Sequence, residues 1–326
     1  MLDALVEAIH ASPGIAGKAD IAPVMERLAP HGAESGAIRL GDDCAAIPDG
    51  DGWLLFAMEG FLNTLVAEEP HFAGYCGVLV NISDIAAMGG RPTAVADAVW
   101  SRDQEHMTPI IEGMMDASSV YNLPVVGGHS STASNGEQLA VAIIGRARQL
   151  LTSFDAAPGD QLLAAIDLRG HYHEPWSNWD ASSGQDPQRL RQDLALLPEI
   201  AEAGLCRAAK DISMAGLIGT ALMLFESSGV GATLYIDDIP IPESTDPIRW
   251  LVHTFPSYGF LLAVSPEHEE AVIKRFAERD IVCARIGTCD DTRTVRLRSS
   301  EGEREIWDFR QTSLTGCPTV TTEEGA

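Results

Sequence analysis

The chain carries the stretch Asn81-Ile82-Ser83-Asp84-Ile85-Ala86-Ala87-Met88-Gly89-Gly90-Arg91-Pro92, which decides the prediction of its fold. Apolar residues recur at helical spacing from Phe72 to Met88, which predicts a helix, and two glycines followed by a proline mark its end. Asp84 interrupts the apolar pattern, and a buried carboxylate needs a cation or hydrogen-bond donors. Asn81, three residues earlier, shares its face of the helix. The two residues indicate either a polar stripe inside the protein or an exposed polar face.

Short strands and helices alternate on both sides of this helix. The turn Ala157-Pro158-Gly159-Asp160 separates two halves, and we place a domain boundary near residue 152. The order predicts mixed α and β structure, with antiparallel meanders rather than an all-parallel sheet. The predicted strands cover residues 53–58, 93–100, 124–126, 139–147, 161–166, 232–236, 259–264 and 283–288, and the predicted helices cover residues 2–10, 72–88, 108–121, 189–203, 216–227 and 266–279.

The pattern divides the chain into four predicted segments. These are an N-terminal arm (1–36), an N-terminal domain (37–152), a C-terminal domain (153–313) and a disordered tail (314–326). A polar loop in the C-terminal domain holds two histidines and two tryptophans within residues 171–180. This loop is either a substrate lid or a segment packed on an oligomer surface.

The composition limits the partners that the protein can have. Its 326 residues include 47 Asp and Glu against 22 Lys and Arg, a formal net charge of −25. Such a surface repels nucleic acid and anionic lipid, so neither is expected as a partner. We expect no membrane span, because no apolar run approaches the length of about 20 residues that a membrane helix needs. The acidic start lacks a secretory signal, and the six cysteines form no CxxC pair, which together predict reduced thiols and a cytoplasmic location.

Three further clusters carry residue types suited to binding phosphate or metal. Gly41-Asp42-Asp43-Cys44 is either a surface turn or a source of carboxylate ligands for Mg²⁺. Val125-Val126-Gly127-Gly128-His129 runs from a strand into glycines, which form a plain turn or offer backbone N–H groups to phosphate. Lys210-Asp211-Ile212-Ser213 precedes a helix. Ser213 suits an N-cap there, and Lys210 suits a point charge for phosphate.

In their order and spacing, these clusters resemble one superfamily of ATP-using enzymes. It includes aminoimidazole-ribonucleotide (AIR) synthetase, formylglycinamidine-ribonucleotide synthetase, thiamine-monophosphate kinase, selenophosphate synthetase and the hydrogenase-maturation dehydratase. The resemblance runs from about residue 38 to residue 242, through GDDCAAI, NISDIAAMGGRP, VVGGHSS, APGD, KDISMAGL and ESSGVGATLYIDDIPIP. It implies a two-domain fold, with a mixed α/β N-terminal domain that forms a homodimer and an α+β C-terminal domain. It also implies ATP and Mg²⁺ as cofactors and a small metabolite as phosphoryl acceptor.

The resemblance also assigns site residues. Matching positions give a metal-binding set of Asp42, Asp43, Glu59, Asp84 and Asp211, and a nucleotide-binding set of Gly127, Gly128, Lys210 and Asn81. Glu59 stands where thiamine-monophosphate kinase has an aspartate. No residue is assigned as a catalytic acid or base.

Two departures from the family pattern bear on the function. His129 follows the paired glycines where the kinase has an aspartate, and Met214 replaces the second aspartate of the kinase motif DISDG. Three functions therefore stay open. The first is an ATP-dependent phosphotransferase or ligase-type enzyme, the second is thiamine-monophosphate kinase itself, and the third is a non-catalytic ATP-binding subunit of a partner enzyme.

Overall fold

The computed structural model describes residues 1–35 and 39–317, which form two compact units. Of the described residues, unit 1 comprises 1–35, 39–42, 151–183 and 200–317, and unit 2 comprises 43–150 and 184–199. One division between the units lies between residues 150 and 151, and residues 1–35 group with unit 1 and residues 184–199 with unit 2. The predicted domain bounds stay a prediction.

The helices and strands alternate in chain order. The helices are α1 (Leu2–Ala11), α2 (Pro13–Ala16), α3 (Ala22–Ser35), α4 (Asn63–Glu68), α5 (Pro70–Ala87), α6 (Gln104–Tyr121), α7 (Pro187–Leu194), α8 (Leu196–Glu202), α9 (Gly216–Ser228) and α10 (Glu269–Ala277). The strands are β1 (Ala45–Asp49), β2 (Gly52–Gly60), β3 (Arg91–Trp100), β4 (Val125–Ser131), β5 (Gln138–Ala147), β6 (Gln161–Ile166), β7 (His171–Tyr172), β8 (Asn178–Asp180), β9 (Ala208–Asp211), β10 (Gly231–Tyr235), β11 (Phe255–Pro256), β12 (Gly259–Val264), β13 (Val282–Asp290), β14 (Thr294–Ser299) and β15 (Gly302–Asp308).

Unit 2 is built on a five-stranded sheet in the order β1-β2-β5-β3-β4. All pairs are antiparallel except β3 with β4. Side chains alternate between the two faces, so Leu55 and Ala57 of β2 are buried, whereas Phe56 and Met58 are exposed. Helices α5 and α6 lie against the buried face.

Glycines let α5 and α6 approach each other closely. A Cβ atom at Gly74 would overlap the carbonyl oxygen of Ile110, and one at Gly113 would overlap the carbonyl oxygen of His71. Small residues at these two points place the two backbones in contact. Helix α5 is buried along almost its whole length, including Asn81 and Asp84, and the α5–α6 contact fixes its position in unit 2.

Unit 1 is built on a seven-stranded mixed sheet in the order β15-β14-β10-β13-β6-β12-β9. Its β10–β14 pair is parallel and the other pairs are antiparallel. Helix α9 is buried at every residue from Gly216 to Ser227 and belongs to the core of this unit. The mixed, mainly antiparallel sheets of both units confirm the predicted mixed α/β class.

The polar loop at residues 171–180 is ordered in the structure. It forms the short strands β7 and β8, which join β11 in a three-stranded sheet. Trp179 stacks edge to face on Tyr172 at 5.3 Å and on Trp250 at 5.1 Å between ring centroids. The arrangement anchors the loop inside unit 1, and its role as a lid or as an oligomer surface stays a prediction.

The segment predicted to be a disordered tail begins inside the core. Leu314, Thr315 and Cys317 are buried, so the prediction does not hold for residues 314–317, and residues 318–326 lie outside the described chain. All six cysteines are free thiols. Among the described residues, no helix combines the length and the apolar character that crossing a bilayer requires.

Candidate functional site

Two of the predicted metal ligands meet in unit 2. Asp43 lies just before β1 and Asp84 lies in the last turns of α5, and a carboxylate oxygen of one lies within 4.8 Å of a carboxylate oxygen of the other. Asp84 is only 4% exposed. Two neighbouring carboxylates with little access to water repel each other unless a proton or a cation lies near them. The pair therefore suits a divalent cation, which prefers oxygen ligands.

Asn81 adds a buried amide one helical turn before Asp84. Its side chain is fully buried, and its Nδ2 donates a hydrogen bond of 2.8 Å to the carbonyl oxygen of Gly77. Its Oδ1 is also buried but accepts no hydrogen bond. A buried acceptor without a hydrogen bond costs free energy, and such acceptors are rare in folded proteins. Amide and carboxylate oxygens are ligand types that fit Mg²⁺, the metal implied by the sequence resemblance.

The predicted phosphate-binding glycines lie in β4 rather than in a turn after it. Gly127 and Gly128 are exposed, and Gly127 has a φ of +153°, which favours glycine. The next residue, His129, is exposed and packs at a tilt on Trp100, with 5.8 Å between ring centroids. The structure thus supplies accessible backbone at this position, and phosphate binding there stays a prediction.

A carboxylate that sequence reasoning missed lies against Gly128. Asp97 of β3 pairs with Gly128, and a Cβ atom at Gly128 would lie 2.6 Å from the Oδ2 of Asp97. Partial burial raises the pKa of Asp97 above its usual value. The alternation Val95-Asp97-Val99 could have shown that Asp97 faces the same side as two buried valines.

Other acidic residues of unit 2 have different surroundings. Glu59 is exposed near the end of β2, on the face of that strand that carries Leu55 and Ala57. Glu137 is buried and accepts hydrogen bonds of 2.8 and 2.7 Å from Arg102. These hydrogen bonds to Arg102 lower the pKa of Glu137 to about 2. Arg102 thus supplies a counter-charge to Glu137 within unit 2.

The remaining predicted site residues belong to unit 1. Asp42 accepts hydrogen bonds from the backbone N (2.9 Å) and the Oγ (2.6 Å) of Ser153, a partner that the sequence did not reveal. Lys210 and Asp211 are buried at the end of β9, each 7% exposed. Metal binding by Asp42 and Asp211 and phosphate binding by Lys210 stay predictions.

The start of α9 differs from its predicted form. Its N-cap is Ala215, which makes no side-chain hydrogen bond, and the backbone N of Ser213 instead donates to the Oγ1 of Thr220 at 3.2 Å. Gly216 adopts a φ of +68° directly beneath the backbone of Val252. The prediction that Ser213 is the N-cap is thus wrong. The helix begins at Gly216, where close packing against the backbone of residues 252–253 leaves no room for a side chain. Met214, which replaces the family's second aspartate, is 47% exposed.

Comparisons with known proteins agree with the residue patterns. A family model described as AIR synthase related protein, N-terminal domain, matches residues 41–147, and one for the C-terminal domain of the same family matches residues 157–299. An uncharacterized protein of Synechocystis sp. is 44% identical over 97% of this chain and 98% of its own length. The thiamine-monophosphate kinase of Pyrococcus abyssi is 26% identical over 71% of this chain and 78% of its own length.

Larger relatives match over part of their length. The phosphoribosylformylglycinamidine synthase subunit PurL of Methanocaldococcus jannaschii is 24% identical over 77% of this chain, which spans 38% of PurL.

Two solved structures share the fold. Thermotoga maritima PurL complexed with ADP superposes with a TM-score of 0.70 at 20% identity, over 89% of this chain and 49% of PurL. AaThiL complexed with AMPPCP and TMP gives a TM-score of 0.63 at 18% identity, over 87% of this chain and 96% of AaThiL. At these identities the likeness shows the two-domain fold alone, and it confirms the fold expected from the sequence.

Proposed function

The chain belongs to the AIR synthase related protein family, and from that premise we propose that it is an Mg²⁺- and ATP-dependent enzyme that transfers a phosphoryl group to an oxygen of a small metabolite. Relatives named PurL and thiamine-monophosphate kinase, and structures crystallised with ADP or AMPPCP, support nucleotide use.

The observation that carries the proposal is the close pair Asp43 and Asp84, together with the buried amide oxygen of Asn81 one helical turn before Asp84 on α5. Glu226 and Glu137, two other buried acids, accept hydrogen bonds from donors of the chain. At the Asp43–Asp84 pair two like charges lie close together, and the Oδ1 of Asn81, on the same helix as Asp84, is a buried acceptor without a hydrogen bond. Such a set is stabilised by a divalent cation.

In this proposal, Asp43, Asp84 and the Oδ1 of Asn81 hold Mg²⁺, which when bound neutralises charge on the phosphates. The exposed backbone of Gly127 and Gly128 contacts phosphate oxygens. Phosphoryl transfer needs positioning and charge stabilisation more than covalent help from the protein. The remaining predicted ligands, Asp42, Glu59, Asp211 and Lys210, are each testable by single substitution.

Calorimetric titration with a non-hydrolysable ATP analogue tests the proposal, first with Mg²⁺ and then with EDTA. We expect binding that EDTA abolishes. Absence of binding in both conditions would contradict nucleotide use by the isolated chain. If binding is found, phosphate release from ATP with panels of hydroxylated and carboxylated metabolites identifies the acceptor.

Thiamine-monophosphate kinase activity is a second candidate, favoured by the match of the chain to that enzyme over 78% of the enzyme's length. A coupled assay of ADP formation with thiamine monophosphate decides it. The substitutions at His129 and Met214 count against it, because both remove carboxylates that the kinase motif carries.

A non-catalytic ATP-binding subunit is a third candidate, and the same two substitutions motivate it. ATP binding without turnover of any acceptor, together with a stable complex with another protein on affinity purification, would favour it over both enzymes.

We further propose that unit 2 forms a homodimer through the face of its sheet opposite α5 and α6. This face exposes Phe56 (44%), Met58 (60%) and Ile144 (38%). Phe56 and Ile144 pair directly across β2 and β5, so they form one continuous apolar patch. Light scattering after size-exclusion chromatography should give a dimer for the native chain and a monomer for Phe56→Glu. A Glu112→Gln control, on α6, should stay dimeric.

A cytoplasmic location also stays a proposal, supported by the free cysteines.

A further inference from the structure

A short C-terminal segment is held in unit 1 by one buried carboxylate. Glu226 of α9 is 4% exposed and accepts three hydrogen bonds from this segment: from the backbone N of Leu314 (2.6 Å), the backbone N of Thr315 (2.7 Å) and the Oγ1 of Thr315 (2.6 Å). We name Leu314–Cys317 the C-terminal clamp. Hydrogen bonds to a charged acceptor are short and strong, so Glu226 fixes the position of the clamp.

The clamp packs on the turn that carries Asp42. Thr315 Oγ1 also accepts a hydrogen bond from the backbone N of Cys317 (3.3 Å), whose Sγ lies 3.8 Å from the carbonyl oxygen of Gly41. Gly41 has a φ of +100°, and a Cβ atom there would overlap the Cys317 sulfur. Burial raises the pKa of the Cys317 thiol, so the sulfur packs as a neutral group. The clamp therefore fills the space that the missing side chain of Gly41 leaves.

The same end of α9 holds the turn from its other side. Ser228, two residues after Glu226, donates a hydrogen bond of 2.8 Å to the carbonyl oxygen of Ser153. Ser153 in turn donates from its backbone N and its Oγ to both carboxylate oxygens of Asp42. The turn Gly41-Asp42 is thus contacted by the clamp on one side and by Ser153 on the other. The clamp is bound by Glu226 and Ser153 by Ser228, both at the end of α9.

We propose that Glu226 is a positioning residue for Asp42, acting through the C-terminal clamp, and that Mg·ATP binding requires the clamp to be closed. The proposal rests on the proposed function, because it takes Asp42 as a predicted ligand of the metal–nucleotide complex. It assigns a role to a segment outside both matched family domains, which end at residue 299. A group that only orients a metal ligand still affects metal affinity strongly.

The test compares four single variants in the full chain. Glu226→Gln places an amide N–H₂ against backbone N–H groups, and Thr315→Val replaces the hydroxyl by a methyl group of similar size. Thr315→Ser keeps the hydroxyl and should therefore retain the native affinity and the native rate of hydrogen exchange. Glu301→Gln is the matched control, since Glu301 accepts hydrogen bonds from the backbone N of Met1 and Leu2 at the other chain terminus of the same unit.

Two readouts are measured on each variant: the Kd for the Mg²⁺ complex of a non-hydrolysable ATP analogue, and amide hydrogen exchange at residues 41–42. We expect a Kd at least about tenfold higher for Glu226→Gln and Thr315→Val, with faster exchange at Gly41 and Asp42. Thr315→Ser and Glu301→Gln should stay within about twofold of the native chain.

Equal affinity and equal exchange in Thr315→Val and the native chain would overturn the proposal, and Thr315→Val gives that answer even if Glu226→Gln fails to fold. Failure of the proposed function has a different signature. The native chain would then bind no nucleotide, while hydrogen exchange would still show whether the clamp holds the turn. Faster exchange with unchanged affinity would also overturn the link between the clamp and ATP binding.

Discussion

Helices α5 and α9 each carry one acidic side chain near a buried C-terminal end, and the two side chains have opposite surroundings. Glu226 of α9 accepts three hydrogen bonds from donors of the same chain. Asp84 of α5 lies within 4.8 Å of a second carboxylate, that of Asp43. The exposed fraction of each is 4%.

The comparison shows that burial of an acid does not by itself indicate a binding site. Glu226 has its negative charge compensated when the chain folds, so its contribution is structural. Asp84 lies close to a second carboxylate, and two like charges at such a separation repel each other. Substitutions at the two positions should therefore differ in their effect on stability: loss of the Glu226 carboxylate should destabilise the metal-free chain, whereas loss of the Asp84 carboxylate should not.

The largest expected effect is the loss of Mg²⁺-dependent nucleotide binding in Asp84→Asn. Removing one carboxylate of the pair removes a predicted metal ligand, so the Kd for the Mg²⁺ complex of an ATP analogue should rise by roughly 100-fold or more. The same change relieves repulsion, so the metal-free variant should unfold at the native temperature or above it. Calorimetric titration and thermal unfolding measure the two effects.

Asp116→Asn is the control for this variant. Asp116 is an exposed carboxylate of α6 paired with His71, and its change should leave the Kd unaltered. If Asp84→Asn bound Mg·ATP like the native chain, or if it unfolded at a clearly lower temperature, Asp84 would be a structural acid like Glu226 and the comparison would fail.

The next effect is stabilisation of the native chain by Mg·ATP analogue. A ligand that binds only the folded state at about 100 times its Kd adds about 2.7 kcal/mol. Thermal unfolding with and without the ligand should show this increase in the native chain and in Glu301→Gln, but not in Asp43→Asn. An equal increase in Asp43→Asn would remove Asp43 from the metal site.

A smaller effect is expected for Glu226, on the free energy of unfolding. Glu226→Gln leaves buried backbone N–H groups of the clamp facing an amide N–H₂, which should lower the free energy of unfolding by about 1–3 kcal/mol. Urea unfolding of the metal-free protein measures it. Under the same conditions Asp84→Asn should show no loss, and a loss of similar size in both variants would mean that both acids are structural.

The sequence predicted α5 well but not the contacts of its acids. The apolar run and the terminal glycines gave a helix from Phe72 to Met88, close to the observed Pro70–Ala87, because both signals are local. The proximity of Asp43 to Asp84 depends on the packing of α5 against the sheet, which no local pattern encodes. Family resemblance, rather than periodicity, supplied the prediction that both bind metal.

Contacts between distant parts of the chain account for what was missed. Glu226 and Leu314 are 88 residues apart, and Asp42 and Ser153 are 111 apart. The clamp sequence is rich in small and polar residues, which locally resembles a disordered tail, yet Glu226 supplies the acceptor that orders it. Gly127 and Gly128 were expected after a strand and lie within one, because pairing with β3 extends β4.

Asp97 is less buried than Asp84 and Glu226, and its substitution should have the smallest effect on stability. It is partly buried, and desolvation by burial raises its pKa above the usual value of an aspartate. Because the ionised form is less favourable in the folded state, its charge lowers stability at a pH above both the folded and the unfolded pKa. Asp97→Asn should therefore unfold at a slightly higher urea concentration than the native chain at about pH 8.

The sign of this effect follows from linkage. As the pH falls through the raised pKa towards about pH 4, the native carboxyl takes up a proton in the folded state, and the advantage of Asp97→Asn should shrink towards zero. Urea unfolding of both proteins across this range measures the difference. If the stability of Asp97→Asn relative to the native chain instead increased as the pH falls, the ionised carboxylate of Asp97 would be stabilised by hydrogen-bond donors. Asp97 would then be a structural acid like Glu226.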